Sequence, residues 1–97
     1  MSRDDILNCL GNLKKELEQQ FGVVSIGLFG STVRGEASED SDIDIAIEMT
    51  PDMKSLHNFL AVKRRLENEL GRRVDLGIEG TLKPLVKKDI QKEIIHV

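Results

Sequence analysis

Apolar residues recur at helical spacing over residues 3 to 20, where Ile6, Leu10, Leu13 and Leu17 lead to Phe21, with Lys14, Lys15, Glu16 and Glu18 between them. The spacing predicts an amphipathic helix that stops before Gly22. Val23 to Phe29 is a short apolar run without charge, which suits a buried strand ending at Gly30. Gly30 to Ser41 is polar and rich in Gly and Ser, and Ile43-Asp44-Ile45-Ala46-Ile47 then alternates an apolar face with one holding Asp42, Asp44 and Ala46. A second strand follows from that period of two. Thr50-Pro51-Asp52 punctuates it. Leu56, Phe59, Leu60, Leu66 and Leu70 form a second helical stripe, with Ser55 or Asp52 as its cap and Gly71 as its stop.

Arg73 to Ile78 alternates again, Val74, Leu76 and Ile78 facing one way and Asp75 the other. Pro84 suits the first turn of a last helix in which Leu85, Val86, Ile90 and Ile94 recur. Ile94 to Val97 fits either helix or edge strand. Helix, strand, strand, helix, strand, helix is the order expected of an α+β domain spanning residues 1 to 97: a small mixed sheet of about three strands flanked by three to four helices.

Composition narrows the class. The 97 residues include 14 Lys or Arg, 17 Asp or Glu and only 3% aromatics, which argues against stable direct nucleic-acid binding through bulk charge or base stacking. The formal charge of -3 hides a segregation. From Glu36 to Asp52 the chain carries seven acids (Glu36, Glu39, Asp40, Asp42, Asp44, Glu48, Asp52) and no Lys or Arg, so the remainder is basic. A lone Cys9 excludes an internal disulfide, no apolar run reaches membrane-span length, and no signal-like segment opens the chain. A cytoplasmic location without membrane attachment is the expectation.

Three carboxylates stand opposite the apolar faces of two strands: Asp42 and Asp44 on one, Asp75 on the other. Like charges repel and Asp is disfavoured in strands, so a cation is expected among them. Residues two apart on a strand share a face, and oxygen ligands with open positions suit Mg²⁺, which keeps waters and binds substrate phosphates. Upstream, Phe29-Gly30-Ser31-Thr32 puts a glycine and two hydroxyls where a strand gives way to a helical turn. Gly30 lets the backbone approach a phosphate closely, Ser31 or Thr32 adds a hydroxyl, and Arg34 adds a charge.

Gly30-Ser31, ten intervening residues and Asp42-Ile43-Asp44, with Arg34-Gly35 inside and Ser41 before the first Asp, resemble the signature of the DNA polymerase β-type nucleotidyltransferase superfamily. Asp75, in a later strand, matches its third carboxylate. At about a hundred residues, the chain is most similar to the minimal nucleotidyltransferase family, over essentially its whole length. The resemblance implies that fold, and transfer of a nucleoside monophosphate from ATP or another nucleoside triphosphate to a hydroxyl, with release of pyrophosphate. It implies that Gly30 and Ser31 hold the β and γ phosphates, that Asp42 and Asp44 ligate two Mg²⁺ ions, and that Asp75 ligates the one activating the hydroxyl. Asp75, a metal-bound water or a substrate oxygen takes the proton. Many relatives are antitoxins paired with a HEPN ribonuclease toxin, and characterised ones attach AMP to a tyrosine of that toxin.

Rival motifs fail on particular residues. Asp40, Asp42 and Asp44 fit the first positions of a calcium-binding EF-hand, but Ile45 stands where glycine is needed and Pro51 where a bidentate Glu is needed. A phosphate-binding P-loop starting at Gly30 fails at Glu36-Ala37, which replaces the required Lys and hydroxyl residue. Arg34 either contacts the triphosphate or pairs with Glu36, Glu39 or Asp40 and braces the loop. Ser41 is read as ordering the turn, Lys63-Arg64-Arg65 as a solvated helix face or a docking patch, and His57, His96 and Cys9 as outside the chemistry. Beside a HEPN toxin as AMP acceptor, two other readings stay open: an antitoxin that merely masks its toxin, and the nucleotide-binding half of a two-chain small-molecule transferase resembling antibiotic-modifying enzymes.

Overall fold

Helix α1 (Arg3–Phe21) begins where Ser2 closes a capping box. The Ser2 hydroxyl accepts from the Asp5 N–H at 3.2 Å, and the Asp5 carboxylate accepts from the Ser2 N–H at 3.0 Å. The helix ends at Gly22, whose φ of 68° is the left-handed conformation that favours glycine. In the computed structural model, which describes residues 1–38, 40–81 and 84–97, the chain continues through β1 (Val23–Phe29), a short helix α2 (Ser31–Arg34), β2 (Ile43–Met49) and α3 (Leu56–Leu70). Then come β3 (Val74–Ile78), a 3₁₀ turn over Glu79–Thr81, α4 (Pro84–Glu93) and β4 (Ile95–His96).

The strand order is β3-β2-β1-β4, with β2 antiparallel to β1 and parallel to β3, and β4 antiparallel to β1. This is the expected α+β arrangement of a small mixed sheet with helices. The terminal segment, which fits helix or strand by pattern alone, is an edge strand that pairs Gly27 with His96 and Leu28 with Ile95. Gly27 makes room for it. A Cβ there would lie 2.6 Å from Cγ1 of Ile94, so only glycine lets Ile94 lie flat on β1.

Helices α1 and α3 cover one face of the sheet. Ile6, Leu10, Leu13 and Leu17 pack there with Val62, Leu66, Leu70 and the strand residues Ile26, Leu28, Ile43, Ile45 and Ile47. The α3 stripe differs from the expected one. Leu56 is 73% and Leu60 39% exposed, whereas Val62, Leu66 and Leu70 are buried and Phe59 is partly buried. Phe59, Val62, Leu66 and Leu70 follow the same helical spacing, rotated onto the core-facing side. Ser55, not Asp52, caps α3, accepting from the Asn58 N–H at 3.1 Å, and Gly71 ends it with φ 65°. Of the basic cluster on this helix, Arg65 is committed to the fold: its Nε donates to Glu16 of α1 at 2.7 Å.

Pro84 opens α4, and Ile90 is buried beneath it, while the Leu85 and Val86 side chains and Glu39 lie outside the described residues. Among the described residues no helix is long and apolar enough to cross a membrane. Leu66→Ala should remove buried contacts without touching the polar face of the sheet. A loss of about 3 kcal/mol in urea unfolding is expected, with unchanged nucleotide binding at low temperature.

Candidate active site

The face of the sheet opposite α1 and α3 carries the carboxylates. Parallel pairing of β2 with β3 sets Asp44 directly beside Asp75, and antiparallel pairing sets Asp44 opposite Phe29, the last residue of β1 before the Gly30 turn. Asp44 is therefore the meeting point of three segments. Its side chain is partly buried, and loss of water raises its carboxyl above the ordinary value of 3.8. The charges of Asp75 and Asp42 push it further in the same direction, and Arg34 opposes them. Asp42 sits at the mouth of β2, about half exposed, where its Oδ1 meets Arg73 Nε at 3.2 Å. The Ile43 N–H donates to the Arg73 carbonyl at 2.9 Å, so strand pairing itself brings Arg73 to Asp42.

The turn between β1 and α2 presses on this group. Gly30 has φ 79° and ψ -154°, a conformation essentially confined to glycine, and a Cβ there would collide with Oδ2 of Asp44 and lie 2.9 Å from its Cγ. Its carbonyl accepts from the N–H groups of Val33 at 3.1 Å and Arg34 at 3.3 Å, folding the chain back at once. Gly35, φ 74°, closes the turn, and the Glu36 N–H donates to the Ser31 carbonyl at 2.9 Å. Among the described residues, neither the N–H nor the hydroxyl of Ser31 is used in a hydrogen bond. A half-buried acid that repels two neighbouring acids, beside a glycine turn with an uncommitted serine, is an arrangement suited to a phosphate carried with cations.

Residues 10–97 match the nucleotidyltransferase domain family. The chain belongs to that family. It is 42% identical over 97 residues to the protein adenylyltransferase MntA of Thermococcus cleftensis, covering 100% of this chain and 97% of that protein. A solved chain described as a minimal nucleotidyltransferase superposes with a TM-score of 0.81 at 33% identity, covering 98% of this chain and 95% of the other. A toxin-antitoxin structure with AMP-PNP, 23% identical, shares the fold at a TM-score of 0.69 over 88% of this chain and 69% of that one.

The donors of this nucleotidyltransferase fit Mg²⁺. Asp42, Asp44 and Asp75 are hard oxygen ligands of the kind Mg²⁺ takes, and a divalent ion would favour the ionised form of Asp44, which burial first and then the charges of Asp75 and Asp42 disfavour. Among the described residues the acids are not gathered into a ready-made cage, and Asp42 pairs instead with Arg73. With its side chain 80% exposed, Arg73 can leave without disturbing the core.

Other candidates separate in the structure. Thr32 is 7% exposed and its hydroxyl has no partner among the described residues. Arg34 braces the loop, donating from Nε to Glu36 at 2.9 Å and from Nη1 to Glu93 at 2.9 Å, and the two carboxylates raise its pKa and hold it cationic. Ser41 orders the turn into β2: its hydroxyl accepts from the Ser38 N–H at 3.1 Å, and Arg72 donates to the Ser38 and Ser41 carbonyls.

Glu93 joins this group without any mark in the sequence pattern. It is the last residue of α4, yet its Oε1 accepts from the Gly30 N–H at 3.0 Å and its Oε2 from Nη1 of Arg34 at 2.9 Å. A Lys-Glu step at a helix end carries no signal of such a role. His96, on β4 beside β1, meets Glu79 at 3.4 Å.

Proposed function

We propose that this nucleotidyltransferase is a cytoplasmic, Mg²⁺-dependent protein adenylyltransferase that moves AMP from ATP to a side-chain hydroxyl of a HEPN-type toxin and so acts as its antitoxin. The observation that carries the chemistry is the Asp44–Asp75 pairing under the Gly30–Ser31 turn. The identity with the MntA adenylyltransferase over the full chain supports a protein acceptor.

In this reading Ser31 offers its N–H and hydroxyl to the β and γ phosphates, and Gly30 keeps side-chain bulk out of their path. Asp42 and Asp44 would hold two Mg²⁺ ions, and Asp75 would share the one nearer the acceptor. When bound, those ions would lower the hydroxyl pKa and neutralise charge on the departing pyrophosphate. The acceptor oxygen forms a bond to the α phosphorus as the bond to the bridging oxygen of pyrophosphate breaks. Asp75, exposed at the strand mouth, is placed to take the hydroxyl proton. Arg34 adds fixed positive charge beside the turn.

Incubation with α-labelled ATP, Mg²⁺ and a HEPN-type toxin should label the toxin on a hydroxyl side chain and silence its ribonuclease activity. Silencing without label would replace transfer by masking, and neither label nor silencing would end the antitoxin reading. Binding has its own readout. Mg²⁺ with ATP should raise the melting temperature, by about 2.7 kcal/mol of stabilisation at a hundredfold excess over Kd, and Asp42→Asn should remove most of that gain.

A further inference from the structure

We propose that Glu93 is a positioning residue for the phosphate turn, through which the C-terminal segment sets the geometry of nucleotide binding. The inference rests on the reading of Gly30, Ser31 and Arg34 as the triphosphate site. Register explains how a residue 63 positions away arrives there. Pairing of Leu28 with Ile95 carries the antiparallel ladder toward the turn, but β4 is only two residues long. The Gly30 N–H lies beyond the last paired residue, and the Glu93 carboxylate supplies the acceptor that the strand no longer provides.

The same carboxylate fixes a guanidinium. Arg34 donates from Nη1 to both Glu93 oxygens, at 3.1 and 2.9 Å, and from Nε to Glu36 at 2.9 Å. Two edges of the planar group are thereby held, and Nη2 is left without a partner among the described residues. A guanidinium clamped on two sides presents its third edge in one direction, which is how a planar fork gains geometric specificity for phosphate. Glu93 is three-quarters buried, whereas Glu36 is largely exposed, so Glu93 is the better anchored of the two clamps. Ile94, the residue directly after Glu93, lies against Gly27 of β1 and so ties this end of α4 to the strand.

Nucleotide binding by calorimetry and steady-state AMP transfer would be measured for wild type, Glu93→Ala, Glu93→Gln, Arg34→Met and the double variant Glu93→Ala/Arg34→Met. Glu93→Ala should weaken ATP binding and raise KM about tenfold, with kcat held within about twofold. Glu93→Gln, which keeps an acceptor for the Gly30 N–H, should recover at least half of that loss on a logarithmic scale. In the Arg34→Met background, Glu93→Ala should cost no more than about threefold, because the part of its effect that passes through Arg34 is already lost and only the Gly30 N–H contact remains to be broken. Equal effects in both backgrounds, or tighter ATP binding by Glu93→Ala, would overturn the proposal and make Glu93 a bystander or a competitor of phosphate. Failure of the wild type to bind ATP would overturn the triphosphate site and this inference with it, whereas wild-type binding with an additive cycle would overturn this inference alone.

Discussion

Asp44→Asn should lower AMP transfer by about a thousandfold while making the protein more stable at neutral pH. The two effects share one cause. Asp44 lies beside Asp75, two residues from Asp42, and partly out of water, so its ionised form is disfavoured in the folded chain. A carboxyl raised on folding adds stability below its unfolded value of 3.8, and that contribution is lost as pH rises through the folded value. The neutral amide escapes that loss. The variant should therefore melt with wild type in strong acid and above it at pH 7 in chelator. Added Mg²⁺ should reverse the order, since a divalent ion stabilises the ionised wild type and finds a poorer ligand in Asn. Melting curves at pH 3 and pH 7, with and without Mg²⁺, read all four corners. A variant no more stable than wild type at pH 7 in chelator would show that Asp44 is not under electrostatic stress. Retained transfer would remove it from the chemistry.

The parts of this site that the sequence made legible are those set by local chain geometry. Gly30, Ser31, Asp42 and Asp44 are separated by one short turn, and the two acids share a strand face by the period of two. Asp75 needed one further step, that its strand lies beside the second, and the parallel pairing of Asp44 with Asp75 supplies it. Helix ends were legible where caps are chemical: Ser55 and Gly71 bound α3. The core face of α3 was only half legible, because Leu56 and Leu60 have the same spacing as a core stripe while standing on the solvent side. Residues that meet through tertiary placement left no trace. Glu93 reaches Gly30 only because β4 stops short, Arg73 meets Asp42 through strand pairing, and Thr32 turns inward under a helix of four residues. Charge patterning had the same limit: Arg65 looks like its neighbours Lys63 and Arg64 along the chain, yet it alone of the three bonds to α1.

Gly30→Ala should lower stability by about 2 to 4 kcal/mol and transfer by a hundredfold or more. Two independent penalties coincide. The backbone at φ 79° and ψ -154° is nearly closed to residues with a Cβ, and the added carbon would overlap the Asp44 carboxylate, with Cγ at 2.9 Å and Cβ at 3.1 Å. Relief by flipping the backbone would break the Gly30 N–H bond to Glu93 and turn the Ser31 N–H away from the proposed phosphate site. Relief by moving Asp44 would spread the acids. Gly35 separates the two penalties. It has φ 74° but open space around its Cβ position, so Gly35→Ala should show the left-handed strain alone, about 1 to 2 kcal/mol, and keep most of its activity. In a Gly30→Ala background, Asp44→Ala should recover part of the lost stability and none of the transfer, a non-additivity expected only of groups in contact. Chemical denaturation and label transfer on wild type, the single variants Gly30→Ala, Gly35→Ala and Asp44→Ala, and the double variant would decide it. Equal losses for the two glycine variants would mean that φ alone matters, and that the contact between the turn and Asp44 does not hold the site together.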